Sequence, residues 1–421
     1  MKKSLIRPIL FFIAVFIAVS LACGSTPEPT QEPEVAVLPE REDVADPPEQ
    51  PEAISPSGPV SNLEGVRGTV IQIEAQGTFV DAEIGEHFKA GTGSGFIIDP
   101  SGLAVTNNHV VTGAALLKVW VGGDTSKTYN ARILGVSECS DLALIDIDGE
   151  GFPYLEWYQE PVRVGLDVYA VGFPLGEPEY TLTKGIISKE SAGGDTSWAS
   201  ISSVIMHDAT INPGNSGGPL VTTEGKVVGV NYRSRSAQDQ YFAIGREIAV
   251  PIIEKMKTGQ NVDSIGVNGI AVNNEDRTIV GIWVSSVQAG SVADQTGIKG
   301  GDILTRLQGY PVAWDGTLSE YCNIIRTHSP SDTMGVEVLR FSTYEVLEGQ
   351  LNGNALTLSY YFGEDPEISD EDPMGDPGPT GDATGDYTAI KNKMGLISDF
   401  FILTSKGKPE MIHWYTCAQP D

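Results

Sequence analysis

Basic residues are scarce in this chain. Lys and Arg number 27 against 56 Asp and Glu in 421 residues, a formal net charge of −29. An excess of negative charge repels phosphate backbones and anionic headgroups, so nucleic acid and anionic lipid are not its electrostatic partners. Cysteine is scarce too: Cys23, Cys139, Cys322 and Cys417 are too few for a disulfide framework in a chain this long. The absence of any CxxC or His/Cys cluster excludes a structural zinc site. Cys139 reads as a small buried residue, and Cys322 and Cys417 as candidates for pairing in an oxidising compartment, with nothing to fix their separation. Asp382 and Asp386 sit beside glycines but lack EF-hand spacing, so no calcium loop is expected, nor any other metal or cofactor. Long apolar runs are missing except for Ile9–Val19, which is shorter than the roughly 20 residues a membrane-spanning helix needs. Behind Lys2, Lys3 and Arg7 it reads as an export signal over residues 1–22.

Glycine is abundant, and one cluster of it organises the chain: Asn212-Pro213-Gly214-Asn215-Ser216-Gly217-Gly218-Pro219-Leu220. A serine among three glycines, with apolar strand-like runs on both sides, sits on a tight turn where backbone amides converge. An acyl-transfer nucleophile needs that arrangement, an exposed hydroxyl with N–H donors aimed at the developing oxyanion. An ordinary Gly-rich hairpin has the same local sequence, so partners decide between the two. Upstream stand Thr106-Asn107-Asn108-His109-Val110-Val111, a histidine just past an apolar run, and Ser140-Asp141-Leu142-Ala143-Leu144-Ile145, an aspartate entering an apolar strand. The order His, Asp, Ser is that of the chymotrypsin-type triad. His87, His207, His328 and His413 have no such surroundings; His207 precedes Asp208 on an expected strand, which points the two side chains to opposite faces.

Together the three motifs resemble the signature segments of the HtrA/Deg family of trypsin-like serine proteases, and the resemblance covers roughly residues 61–345. It implies a mainly β fold, a double six-stranded β-barrel of chymotrypsin type over residues 61–258, followed by a PDZ domain over 262–352. Twelve short apolar runs between Val66 and Ile244, separated by Gly, Asp and Asn, suit that many strands. Ile248–Lys257, with Ile248, Ile252, Ile253 and Met256 at helical spacing, is expected to close the protease domain. By the resemblance His109, Asp141 and Ser216 are catalytic, and Gly214, Asn215 and Ser216 form the oxyanion hole. Thr210, Ile211 and Asn212 border the substrate pocket; none is acidic, which favours small aliphatic residues over basic ones. Lys189–Ser203, Pro174–Leu182 and Asn231–Gln240 match the family's regulatory loops.

The PDZ resemblance rests on Ser264-Ile265-Gly266-Val267 and on Gly300-Gly301-Asp302-Ile303-Leu304. It implies that Ile265, Gly266 and Val267 hold the carboxylate of a C-terminal peptide, with Leu318 and Ile325 lining a groove beside an added strand. The family also implies unfolded or exported proteins as substrates and a homotrimer with contacts from Val60–Val66. Two further readings stay open, a PDZ-led chaperone or binding module and a stress sensor that cleaves one regulatory membrane protein.

At the N-terminus, Ser20-Leu21-Ala22-Cys23-Gly24 resembles a bacterial lipoprotein signal, with Cys23 as the lipidated residue, although Ser20 stands where an aliphatic residue is usual. A plain signal peptide cut nearby is the alternative. Lipidation would place an exported protein on the outer face of the cytoplasmic membrane or in the envelope. Residues 23–60, rich in Pro and Glu, read as a flexible tether, and 353–421 as an acidic linker and an extension of unassigned role.

Overall fold

The computed structural model describes residues 58–362 apart from 83, 84, 275 and 276. The expected export signal, Cys23, most of the expected tether, His413, Cys417 and the acidic tail lie outside the described residues, as do the side chains at 86–90, His87 among them.

Six strands close the first barrel: β1 (Val70–Asp81), β2 (Gly85–Ile97), β3 (Leu103–Thr106), β4 (Leu116–Val121), β5 (Tyr129–Ser137) and β6 (Leu142–Ile147), in the order β1-β2-β3-β6-β5-β4. Six more close the second: β7 (Asp167–Gly172), β8 (Thr181–Ala192), β9 (Val204–His207), β10 (Pro219–Val221), β11 (Val227–Arg235) and β12 (Gln240–Gly245), in the order β10-β11-β12-β9-β8-β7. Closure leaves no free sheet edge, and the two-residue period of a strand sorts the side chains. On β6, Ala143, Ile145 and Ile147 point into the first barrel beside Ile71, Ile73 and Val119. Leu142 and Leu144, one step out of phase, join Phe96, Val171, Phe173 and Tyr232 in the layer between the barrels. Two six-stranded barrels packed in this way form the chymotrypsin-type fold.

The helices are short: α1 (Leu63–Val66), α2 (Asn108–Val111), α3 (Arg246–Met256), α4 (Val292–Thr296) and α5 (Ser319–Arg326). Helix α1 replaces the start of a strand expected from Val66. The Asn62 side chain accepts from Gly65 N at 2.8 Å and caps a helical turn there, so β1 begins only at Val70. Strand β8 runs on to Ala192, which shortens the expected Lys189–Ser203 loop, and β11 reaches Arg235 inside the expected Asn231–Gln240 loop.

A third sheet follows, made of β13 (Val267–Asn273), β14 (Val280–Val287), β15 (Asp302–Leu307), β16 (Tyr310–Pro311), β17 (Met334–Arg340), β18 (Glu345–Leu351) and β19 (Thr357–Tyr361). Its order is β13-β14-β15-β17-β18-β19, with β16 on β15, so one strand lies past residue 352. Barrels and sheet belong to one compact unit. Trp283 Nε1 donates to Val80 O at 2.8 Å, Ser286 Oγ to Thr112 O at 2.8 Å, and Val262 N to Val136 O at 2.9 Å.

Candidate active site

His109 sits on α2, the single helical turn that follows β3. Its backbone N–H donates to Asp141 Oδ1 at 3.0 Å, and its Nδ1 lies 3.0 Å from Oδ1 and 2.8 Å from Oδ2. A carboxylate can only accept, so Nδ1 carries a proton, and in the neutral ring Nε2 then presents a lone pair. Asp141 is fully buried and has φ +48°, a left-handed conformation that Asp tolerates better than most residues. Its carbonyl accepts from Asn107 Nδ2 at 2.7 Å, which ties the Glu138–Asp141 turn to the His109 segment.

Trp198 adds a third donor. Its indole Nε1 reaches Asp141 Oδ2 at 3.3 Å, and its ring lies edge-on to His109 with centroids 6.3 Å apart. No sequence signal marks Trp198, which stands in a segment expected to be a loop.

Ser216 comes from the other barrel, on the turn before β10. Gly214 has φ +95°, and a Cβ there would fall 2.7 Å from Phe173 O and 2.8 Å from Leu175 N. At Gly217 a Cβ would lie 2.3 Å from Ser94 O and 2.4 Å from Thr106 Oγ1, so glycine lets the serine turn close against the strand that leads to His109. Ser94 on β2 pins that turn from both ends. Its Oγ donates to Gly214 O at 2.7 Å and accepts from Phe173 N at 2.8 Å, while its N–H donates to Ser216 O at 2.9 Å. Gly93-Ser94-Gly95 was the available signal for this residue, since glycines beside a serine mark a close backbone approach.

Among the described residues, the amides of Gly214 and Ser216 meet no acceptor, while Asn215 N donates to Asn212 O at 3.0 Å and Gly217 N to Asn231 O at 2.8 Å. Of the three residues expected to form an oxyanion hole, Gly214 and Ser216 keep free amides, whereas the Asn215 amide is committed. The expected pocket changes as well. Ile211 is 4% exposed and packs into the second barrel, whereas Thr210 and Asn212 are exposed. Among the described residues no hydrogen bond joins Ser216 Oγ to the His109 ring, although the two motifs meet across the barrels.

His207 stands apart from this site. It is fully buried on β9, and neither ring nitrogen has a hydrogen-bond partner. Burial pushes its pKa down to about 4, opposed by the Asp208 charge and by the nearby Ala209 backbone and Asn231 side chain, which approach the ring without a well-formed hydrogen bond.

The cysteines differ from expectation. Cys139 and Cys322 form a disulfide, so Cys139 is more than a small buried residue and Cys322 is not free for Cys417. Of the residues expected to bind a peptide carboxylate, Gly266 and Val267 are engaged, as are the expected groove residues Leu318 and Ile325. Gly266 N and Val267 N donate to Glu138 Oε1 at 2.6 and 2.8 Å, and Leu318 N donates to Thr196 O at 3.0 Å. Ile325 is buried in the core of the third sheet. Among the described residues no group of three or more His, Cys, Asp or Glu is placed to hold a metal ion.

Two barrels with a histidine–aspartate pair on one and a glycine-bound serine on the other define a trypsin-like peptidase domain, and that domain family matches residues 93–230. The serine protease Do-like HtrA of Lactobacillus helveticus is 33% identical over 289 residues, covering 62% of this chain and 68% of that protein. The chain belongs to the HtrA family of trypsin-like serine proteases. It is also 34% identical over 244 residues to a probable periplasmic serine endoprotease, DegP-like, of Marinomonas sp., covering 55% of this chain and 51% of that one. The chain thus spans about half the length of the DegP-like relatives it matches. The solved serine endoprotease from Yersinia pestis is 25% identical and covers 74% of this chain and all of its own, at a TM-score of 0.40, too low to bear on the fold.

Proposed function

We propose that this chain is a serine endopeptidase working through an acyl-enzyme. The observation that carries the reading is the His109 ring, whose Nδ1 is fixed on Asp141 so that Nε2 is free to take a proton beside the Ser216 turn. Ser216 Oγ attacks the scissile carbonyl as its proton passes to His109 Nε2, and Asp141 stabilises the imidazolium that results. The N–H groups of Gly214 and Ser216 receive the oxyanion. Collapse breaks the C–N bond, the amine leaves with the proton from His109, and water repeats the sequence on the ester. The Ser216 Oγ–His109 Nε2 contact, not closed in this structure, is of a kind that is often long without substrate and tightens when substrate binds. Ser216→Ala is expected to lower casein cleavage by about 10⁴ to 10⁶ with the circular dichroism spectrum unchanged. Cleavage by the variant at near wild-type rate would falsify the assignment.

We further infer the setting. Relatives named periplasmic support an exported envelope protein, acting on unfolded or exported proteins. The third sheet with α5 is read as a PDZ-like peptide-binding unit, Cys23 as a lipid anchor, and the assembly as a homotrimer. Val60 and Val66 are buried within their own chain, so the trimer contacts expected from Val60–Val66 reduce to exposed residues such as Ser61, Asn62 and Glu64.

A further inference from the structure

We infer that the carboxylate-binding loop at the head of β13 is closed by an internal ligand, the Glu138 side chain, locked by the Cys139–Cys322 disulfide. A peptide with a free C-terminal carboxylate then enters only after a dithiol has reduced that bond. The inference rests on the PDZ-like reading of the third sheet and names how that site is regulated.

A C-terminal carboxylate needs convergent N–H and O–H donors. Here they all end on the protease side of the molecule. Glu138 Oε1 accepts from Gly266 N at 2.6 Å, Val267 N at 2.8 Å and Ser264 Oγ at 2.6 Å, and Oε2 accepts from the Tyr321 hydroxyl on α5. Glu138 is 2% exposed. Burial pushes its carboxyl up, and the four donors oppose that shift.

The rest of the groove is filled as well. Its walls are β13 and α5, and each meets one stretch of the protease. Ala271 N on β13 donates to Ser197 O at 2.7 Å, a single rung of strand addition, and Leu318 N at the start of α5 donates to Thr196 O at 3.0 Å. Ser200 N donates to Cys139 O at 2.9 Å and joins this stretch to the Glu138 turn. The chain occupies its own peptide site with a carboxylate at one end and a backbone rung at the other.

The disulfide fastens both sides at that carboxylate. Cys139 follows Glu138, Cys322 follows Tyr321, and both cysteines are fully buried. A tethered ligand competes at an effective concentration set by geometry, commonly millimolar. When the binding-competent state is a fraction f of molecules, the apparent Kd of an outside peptide rises by 1/f. Release is a two-electron reduction. A dithiol thiolate attacks one sulfur and the S–S bond breaks. The dithiol's second thiol then resolves the mixed disulfide, leaving Cys139 and Cys322 as thiols and the reagent as its own disulfide.

The test is fluorescence polarisation with a labelled peptide ending in Val-Val, as free acid and as C-terminal amide, on full-length protein. Dithiothreitol treatment that titrates two further thiols per chain is expected to lower the apparent Kd of the acid at least about tenfold. Cys322→Ser should match it without reductant, and adding Glu138→Gln should tighten binding several-fold more, the amide staying weak throughout. If oxidised wild-type protein binds the acid as tightly as Cys322→Ser, the lock is wrong while the peptide site stands. If folded Cys322→Ser and its Glu138→Gln double variant both fail to prefer acid over amide, the loop is no carboxylate site, and the inference falls with the PDZ-like reading. Casein cleavage by the same preparations reports separately on Ser216.

Discussion

An indole N–H at 3.3 Å from Asp141 Oδ2 shares that oxygen with His109 Nδ1, while the His109 backbone N–H holds Oδ1. Asp141 is fully buried, so every donor it has counts, and a hydrogen bond to a charged group contributes about 1.5–3 kcal/mol. Trp198→Phe keeps a ring against the His109 edge and deletes the N–H. We expect kcat on a peptide substrate to fall about tenfold with KM unchanged, because what is lost bears on the imidazolium and not on substrate contacts. A variant with wild-type kcat would reduce Trp198 to packing. Ser94 acts in the same indirect way, gripping the serine turn at Gly214 O and Ser216 O from a strand of the opposite barrel.

Strand β9 carries a different liability. It pairs with β8 and β12 and places His207 against Tyr241, ring centroids 6.0 Å apart, with no well-formed hydrogen bond at either ring nitrogen. Its pKa of about 4 in the fold lies below the unfolded value near 6.5. The folded form therefore resists protonation. The stability this contributes is fully present above pH 6.5 and is lost as pH falls through 4, to a limit of about 3 kcal/mol. Urea midpoints at pH 7 and pH 4 should differ less in His207→Phe than in wild type, and an equal drop in both would remove His207 as the cause. The strands themselves were largely legible in the sequence, since alternating apolar runs broken by Gly, Asp and Asn leave little choice of period. The misreadings lie where glycine hides a strand, as in the first half of β2, and where polar residues continue one, as in Lys189–Ala192 on β8. His109, Asp141 and Ser216 were legible as candidates because each lies in a distinctive local motif. Trp198 and Glu138 were not, because their roles come from contacts with segments far away along the chain, and Ser94 left only the glycines on either side of it as a sign.

At the scale of the molecule, the strongly acidic chain carries a catalytic domain and a third sheet joined by backbone, hydrogen bonds and one disulfide. The proposed anchor and assembly are tested in one preparation. Wild-type protein from its own type of cell should sediment with membranes, and Cys23→Ser should be released. The released protein should have a light-scattering mass of three chains. Soluble wild-type protein would refute the anchor, and a one-chain mass the trimer. Which cysteines pair was beyond sequence reasoning, since partners separated by 183 residues leave no local pattern. That bond also closes a covalent ring holding Asp141 and Ser216, with His109 just outside it. A protease is the substrate nearest to itself, and on the proposed activity exposed loops inside the ring come within its own reach. A single cut there leaves one molecule, its two pieces still stapled across the barrels and the third sheet, so the three proposed catalytic residues need not part.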